Sequence, residues 1–222
     1  LYQNSHRIMA EINDLRAKLH RPVPDLHRIG TYEVFSGRFL ANFIAKEMVE
    51  NVQCLELGPG EIEEALLEGK IDYGLTFAPF PHEDLDHLPI SKINMKTYCK
   101  RGGKFESSEQ EELEYAVPVT ALGPNPLKSE AIDHWPSNLS RKINYRFQML
   151  ETALQICARD LSVIYCPDMV INLFNQGLLK KNELVEHAQQ RKTQKLKVYL
   201  VKKKEHEEDK FCRKLSKFAR SL

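Results

Sequence analysis

Between residues 26 and 77 the hydrophobic pattern changes period four times, with only a few residues at each change. An extended apolar run over 26–30 precedes a helical pattern over 36–48. That pattern sets Phe39, Leu40, Phe43, Ile44 and Met48 on one broad face. "NVQCLELGPG" then alternates Val52, Cys54 and Glu56 against Gln53, Leu55 and Leu57, the period of a strand. "EIEEALLEG" buries Ile62, Ala65 and Leu66 on a helical face and closes on Gly69, a favoured residue after a helix end. Residues 71–77 are largely apolar, as a central strand covered on both faces requires. Strands separated by single helices and short turns pair in parallel through right-handed crossovers.

A second unit of the same kind follows. "KINYRF", "QMLETALQICARD" and "LSVIYCP" read as strand, helix and strand, the helix placing Leu150, Ala153, Leu154 and Cys157 on one face. "DMVINLFNQG" reads as a further helix, with Asp168 as N-cap and Gly177 as C-terminal cap. Between the units lie the acidic, proline-rich "APFPHEDLDHLP", a strand over 90–99, a polar loop and the short strand "YAVPVTAL". After them "KLKVYLVKK" alternates Leu196, Val198 and Leu200 against Lys195, Lys197 and Tyr199. A closing helix carries Phe211, Leu215, Phe218 and Leu222. The expected fold class is therefore α/β, two Rossmann-like lobes with a hinge, in which strand ends and helix N-termini of both lobes face a ligand cleft.

At the other end Leu1, Ser5, Ile8, Ile12, Leu15 and Leu19 alternate steps of four and three, a helix seam of coiled-coil type stopped by Pro22 and Pro24. So short a helix needs a partner surface, either this chain's own body or a second copy.

Composition narrows the class further. Of 222 residues, 42% are hydrophobic and 28% charged, as in a soluble globular protein. No apolar run approaches the roughly 20 residues that span a bilayer, and the first residues lack the apolar core of a secretory signal. The chain does not start with Met, so it is expected to be cut from a longer one. Five scattered cysteines without a CxxC pair fit a reducing cytoplasm better than a disulfide framework. The net charge of +1 conceals an asymmetry: from Arg191 onward 12 Lys or Arg outnumber 4 Asp or Glu, leaving −7 on residues 1–190. Such a basic end serves either nucleic acid or an acidic partner, or simply the solvent sides of regular elements, where these lysines are expected to lie.

Four stretches together resemble the effector-sensing domain of the LysR-type transcriptional regulators. They are "LHRIGTYEVFSGRFLANFI", "VQCLELGPGEIEEALLEGKIDYGLTF", "INYRFQMLETALQICARDLSVIYCPDMVI" and the linker-like "RIMAEINDLRAKL". The resemblance covers essentially the whole chain and implies a fold like the type 2 periplasmic binding proteins. Residues 1–22 would be a linker helix, 23–94 with 197–222 lobe I, and 95–196 lobe II. It also implies a small-molecule effector, a homodimer or homotetramer, and DNA contact only through a winged helix-turn-helix domain that this sequence does not contain. Three positions depart from the family pattern: Val34 where a Ser or Thr usually holds a carboxylate effector, Asp160 where Gly is usual, and Pro59 or Gly60 in place of a polar residue. These departures weigh against the usual carboxylate ligand.

The ligand-binding candidates sit where strands end. Thr31, Tyr32, Glu33 and Ser36 follow the first strand, where free N–H groups hold anions or Thr31 and Ser36 act only as helix caps. Glu33 favours a ligand carrying an amine or hydroxyls. Gly60 and Glu61, with Gly58, follow the second strand and permit close backbone approach or a tight turn. Thr76 and Phe77 end the third, with Phe77 and Phe80 either beside the ligand or packing a hinge. Gln148 and Met149 precede the second-lobe helix, where the family contacts effectors. "HEDLDH" holds possible metal ligands, His82, Glu83, Asp84, Asp86 and His87, but in a segment where such residues are readily solvated. No metal, cofactor or catalytic residue is assigned: the sequence has no P-loop or GxGxxG, and no Ser–His or Cys–His pairing stands out. The function expected is effector sensing and oligomerisation in a cytoplasmic bacterial regulator. A solute-binding protein of the same fold is the alternative, and an enzyme on this scaffold a more distant third.

Overall fold

A computed structural model describes residues 26–119, 133–136, 138–188 and 194–221. The expected linker helix, with its Leu1-to-Leu19 seam, and the last stripe residue Leu222 lie outside them. The chain divides into two compact units, one holding the residues up to Lys92 and from Lys197, the other Ile93–Leu196.

In the first unit β1 (His27–Thr31) pairs in parallel with β2 (Val52–Glu56) and with β3 (Tyr73–Thr76). β9 (Gln194–Lys203) runs antiparallel to β3, and the start of β4 (Leu85–Lys100) lies on β9's other side. The strand expected over 90–99 thus begins five residues earlier and takes in Pro89. Between β1 and β2 the single expected helix is two, α1 (Glu33–Ser36) and α2 (Arg38–Glu47), separated at Gly37. Met48, assigned to the buried face, is instead the left-handed cap of α2 and 84% exposed, because the helix ends at Glu47 and the cap turns the chain away from that face.

The two faces of this sheet are filled differently. Alternation sends Ile29 and Tyr73, partners across β1 and β3, toward α2 and the final helix α6 (Lys210–Ala219). There Phe39, Phe43, Phe211 and Phe218 form an aromatic cluster, edge-on between Phe43 and Phe211 and tilted elsewhere, with the Tyr73 and Phe211 ring centres 5.7 Å apart. The next pair in the same ladder is Gly30 and Gly74, which faces α3 (Glu61–Leu67). A Cβ on Gly74 would stand 2.4 Å from Ile62 Cγ2, and one on Gly30 2.4 Å from Ile71 Cδ1. Gly74 therefore lets α3 lie directly on the sheet, while Gly30 makes room for Ile71 and Leu57, which flank that helix. Arg28 locks the helix-to-strand turn from behind, its guanidinium donating to both Asp72 oxygens and to the Gly69 carbonyl. The β9 lysines do not all face solvent: Lys202 is 5% exposed, its Nζ donating to Asp86 Oδ2 (3.1 Å) and the His206 carbonyl (2.7 Å). A charged tip satisfied in this way is tolerated inside.

In the second unit β5 (Glu114–Pro118) pairs in parallel with β6 (Lys142–Phe147) and β7 (Val163–Pro167). The latter part of β4 lies antiparallel between β7 and the short β8 (Leu184–Glu186), a strand too brief to show in the pattern. α4 (Leu150–Ala158) makes the crossover from β6 to β7 and buries Ala153, Leu154 and Cys157. α5 (Asp168–Asn175) buries Met169, Val170, Ile171 and Phe174. Its N-cap is Pro167, not Asp168; the Asp168 carboxylate accepts from Asn94 Nδ2 at 2.7 Å and ties α5 to β4. Trp135 packs edge-on between Tyr115 and Tyr165 over a buried Arg141–Asp133 ion pair. Among the described residues no helix is long and apolar enough to cross a membrane.

Candidate functional site

In the first unit three loops leave the carboxyl ends of β1, β2 and β3 and converge. The β1 loop carries Thr31 and Tyr32. Thr31 is 1% exposed and donates its hydroxyl to the Leu75 carbonyl (3.0 Å), joining β1 to β3 beyond their backbone ladder. Tyr32 lies edge-on to Phe77, ring centres 4.9 Å apart, and its hydroxyl donates to the Ala78 carbonyl at 3.4 Å. Burial, with Glu63 and Glu61 nearby, pushes the Tyr32 phenol well above its ordinary range against a hydrogen bond with Thr76 that lowers it, so it remains a donor. Thr76 is fully buried and accepts from Ala78 N at 3.0 Å.

The β2 loop turns at Gly60, whose φ of +84° suits glycine, and enters α3. Glu61 reaches back to accept from Gly58 N at 2.6 Å, satisfying a donor that the helix start leaves open. The Phe80 ring lies 4.0 Å from where a Gly60 Cβ would stand. Glu63, one turn into α3, is 5% exposed; its Oε1 accepts from Phe80 N at 2.8 Å and sits 3.8 Å from His87 Nε2. In the sequence Glu63 is one member of a charged run and does not stand out. The signal available is its place one residue after the core position Ile62 and three before Leu66, on the flank of the buried stripe.

These contacts explain the abrupt break after β3. Tyr32 holds the Ala78 carbonyl and Glu63 the Phe80 amide, so the segment is bound on both sides while Pro79 redirects it. Ser36 does not cap a helix: α1 begins after Tyr32 and α2 after Gly37, neither with a side-chain cap. Its hydroxyl donates instead to Glu56 Oε1 and the Glu33 carbonyl. Glu33 and Val34 lie half-buried in α1.

Thr31, Tyr32, Thr76 and Phe77 are thus buried together at the strand ends, with Gly60 and the exposed Glu61 beside them and Glu33 and Ser36 on the neighbouring helix. Gln148 and Met149 belong to the second unit, at the start of α4. Both are exposed, Met149 at 63% and in an extended conformation just before the helix. Among the described residues no group of three His, Cys, Asp or Glu is disposed to hold a metal ion, and His82 in "HEDLDH" accepts from the Asp84 amide.

Residues 28–222 match the LysR substrate binding domain. The chain belongs to this family. It is the effector-sensing domain of a LysR-type transcriptional regulator, with a type 2 periplasmic-binding-protein-like fold. Comparison with curated proteins returns no match. Among solved structures it is similar to a probable transcriptional regulator, PA0477, from Pseudomonas aeruginosa, with TM-score 0.67 and 12% identity over 96% of this chain and 74% of that one. The regulatory domain of CcmR from Synechocystis PCC6803, in complex with 2-PG, gives TM-score 0.61 and 10% identity, covering 88% and 95%. The reduced form of the OxyR regulatory domain from Pseudomonas aeruginosa gives 0.65 and 10%, covering 88% and 98%. At these identities the LysR-type neighbours share the fold, while side chains at the strand ends are this chain's own.

Proposed function

We propose that the strand-end surface of the first unit receives the effector of this LysR-type domain. Tyr32, Glu33, Ser36, Gly60, Glu61 and Phe77 contact it, while Thr31 and Thr76 position the loops from within. The observation that carries this reading is the convergence of three strand-end loops on one patch pinned by Tyr32 and Glu63. The patch is rich in acceptors, with carboxylates of Glu33, Glu56, Glu61 and Glu64 in α1, β2 and α3, and Val34 offers no hydroxyl for a carboxylate. A ligand bearing an amine or hydroxyls therefore fits it better than a bare anion. That CcmR's regulatory domain is seen with 2-PG supports a small-molecule partner for this fold.

The same reading makes the domain a sensor without catalytic activity, in a cytoplasmic regulator that assembles as a homodimer or homotetramer and reads DNA through a helix-turn-helix domain. Effector acts by binding one arrangement of the regulator better than another.

Thermal-shift screening of amines, amino acids, sugars and aromatic acids tests the site. A true effector at 100 times its Kd adds about 2.7 kcal/mol to stability, and the shift should shrink in Glu61→Gln and in Glu33→Gln. A hit whose shift is untouched by either substitution would place the site elsewhere.

A further inference from the structure

The outer face of α6 carries one sign of charge. Phe211, Cys212, Leu215 and Ala219 take the inner face, and Lys210, Arg213, Lys217 and Arg220 are all exposed on the opposite one. The helix contains no acidic residue, and Arg213 and Lys217 stand four apart, a spacing at which like charges oppose the helix. Neighbouring side chains extend the surface without neutralising it. Lys214 donates to the Glu47 carbonyl and Lys46 lies over the Phe218 ring, 5.6 Å from its centre. No ion pair among the described residues engages Arg213, Lys217 or Arg220. The acidic residues of this end, Glu205, Glu207, Glu208 and Asp209, all precede the helix, where Asp209 caps it by accepting from Cys212 N. A face that served only solubility would interleave both signs. Here the cations are gathered on one helix of a chain whose first 190 residues sum to −7.

We infer that this face is a sequence-independent contact for the sugar-phosphate backbone of duplex DNA, additional to the reader domain of the regulator. Arg213 to Arg220 spans about 10 Å of helix, a length over which duplex DNA carries about six phosphate charges. Guanidiniums at both ends suit bidentate phosphate contact. Three such contacts are weak alone, but a domain tethered to a DNA-bound reader meets the backbone at high effective concentration. The inference rests on charge and on family membership, independently of which effector the strand-end surface takes.

Fluorescence anisotropy of a labelled 25-base-pair duplex of arbitrary sequence, titrated with the 222-residue chain, tests it. Neutralising about three phosphates predicts a log–log salt slope near −2.7, or about 40-fold weaker binding at 200 mM than at 50 mM salt. The variant R213E/K217E/R220E should lose binding, and the milder R213Q/K217Q/R220Q should bring the slope close to zero while melting at the parent temperature. Absence of binding at 50 mM salt, or binding unchanged in the glutamine variant, overturns the inference. So does displacement by polyglutamate as effective, charge for charge, as by unlabelled DNA, which would assign the face to an acidic protein.

Discussion

Gly74→Ala tests the packing that brings α3 to the strand ends. The new methyl would stand 2.4 Å from Ile62 Cγ2, 3.4 Å from Val201 Cβ and 3.5 Å from Leu66 Cδ1. Ile62 cannot swing that methyl away, because a β-branched side chain in a helix has one favoured χ1. Relief requires α3 to lift from the sheet. Overpacking of this kind costs about 1–3 kcal/mol. At about 2–4 °C per kcal/mol for a chain of this size, the melting temperature should fall by about 2–12 °C. Gly30→Ala, its partner in the ladder, is the control. Its methyl would meet Ile71 Cδ1 at 2.4 Å and Leu57 Cδ1 at 2.8 Å. Both are ends of flexible side chains, so the cost should stay near that of an off-rotamer torsion, about 0.5–1.5 kcal/mol. Urea unfolding of both variants, and of Gly74→Ala combined with Ile62→Leu, decides the matter. Leucine carries no Cγ2-type methyl at the β carbon, so the double variant should recover part of the loss, with a coupling of about 0.5–3 kcal/mol. If Gly74→Ala is as stable as the parent, or the two changes simply add, α3 is not seated on Gly74.

Asp160 has φ of +62°, in the region glycine favours, and its Oδ2 accepts from Lys104 N at 2.8 Å. Asp160→Ala keeps the strain and loses the bond, so it should cost about 1–3 kcal/mol. Asp160→Gly should cost less, and equal losses in urea unfolding would contradict this account. Burial raises the Cys54, Cys99 and Cys212 thiols from 9.0 to about 11. The unfolded chain ionises these thiols first, so their contribution to stability is intact below pH 9 and lost as pH rises to about 11. A urea midpoint that stays flat across that window would refute it. Reaction with a thiol reagent at neutral pH should likewise be slow.

The strand-end loops show how far a linear reading reaches. Tyr32, Gly60, Glu61, Thr76 and Phe77 are recognisable as candidates because each follows a strand in a parallel unit, and such ends lie together whatever the side chains. That Thr31 and Thr76 spend their hydroxyls on Leu75 and Ala78 was not legible, since both partners belong to backbone positions fixed only by strand register. Glu63 was missed for a related reason. In a charged run it resembles its neighbours Glu61 and Glu64, and only the close seat of α3 on Gly74 carries it to the Phe80 amide. Lys202 and Met48 erred in opposite directions. The lysine found acceptors in β4 and in the turn after β9, while the methionine fell just past the end of its helix.

Periodicity by itself determined the alternation of strands and helices and the parallel pairing of the strand–helix–strand units. These depend on apolar spacing over a few turns, which is a local property of the chain. Tertiary structure alone decided which polar groups are consumed inside and which remain on the surface. A hydroxyl or carboxylate is satisfied by whatever atom lies within about 3 Å, and that neighbour comes from an element tens of residues away, set by register and by how closely a glycine in the sheet allows a helix to approach.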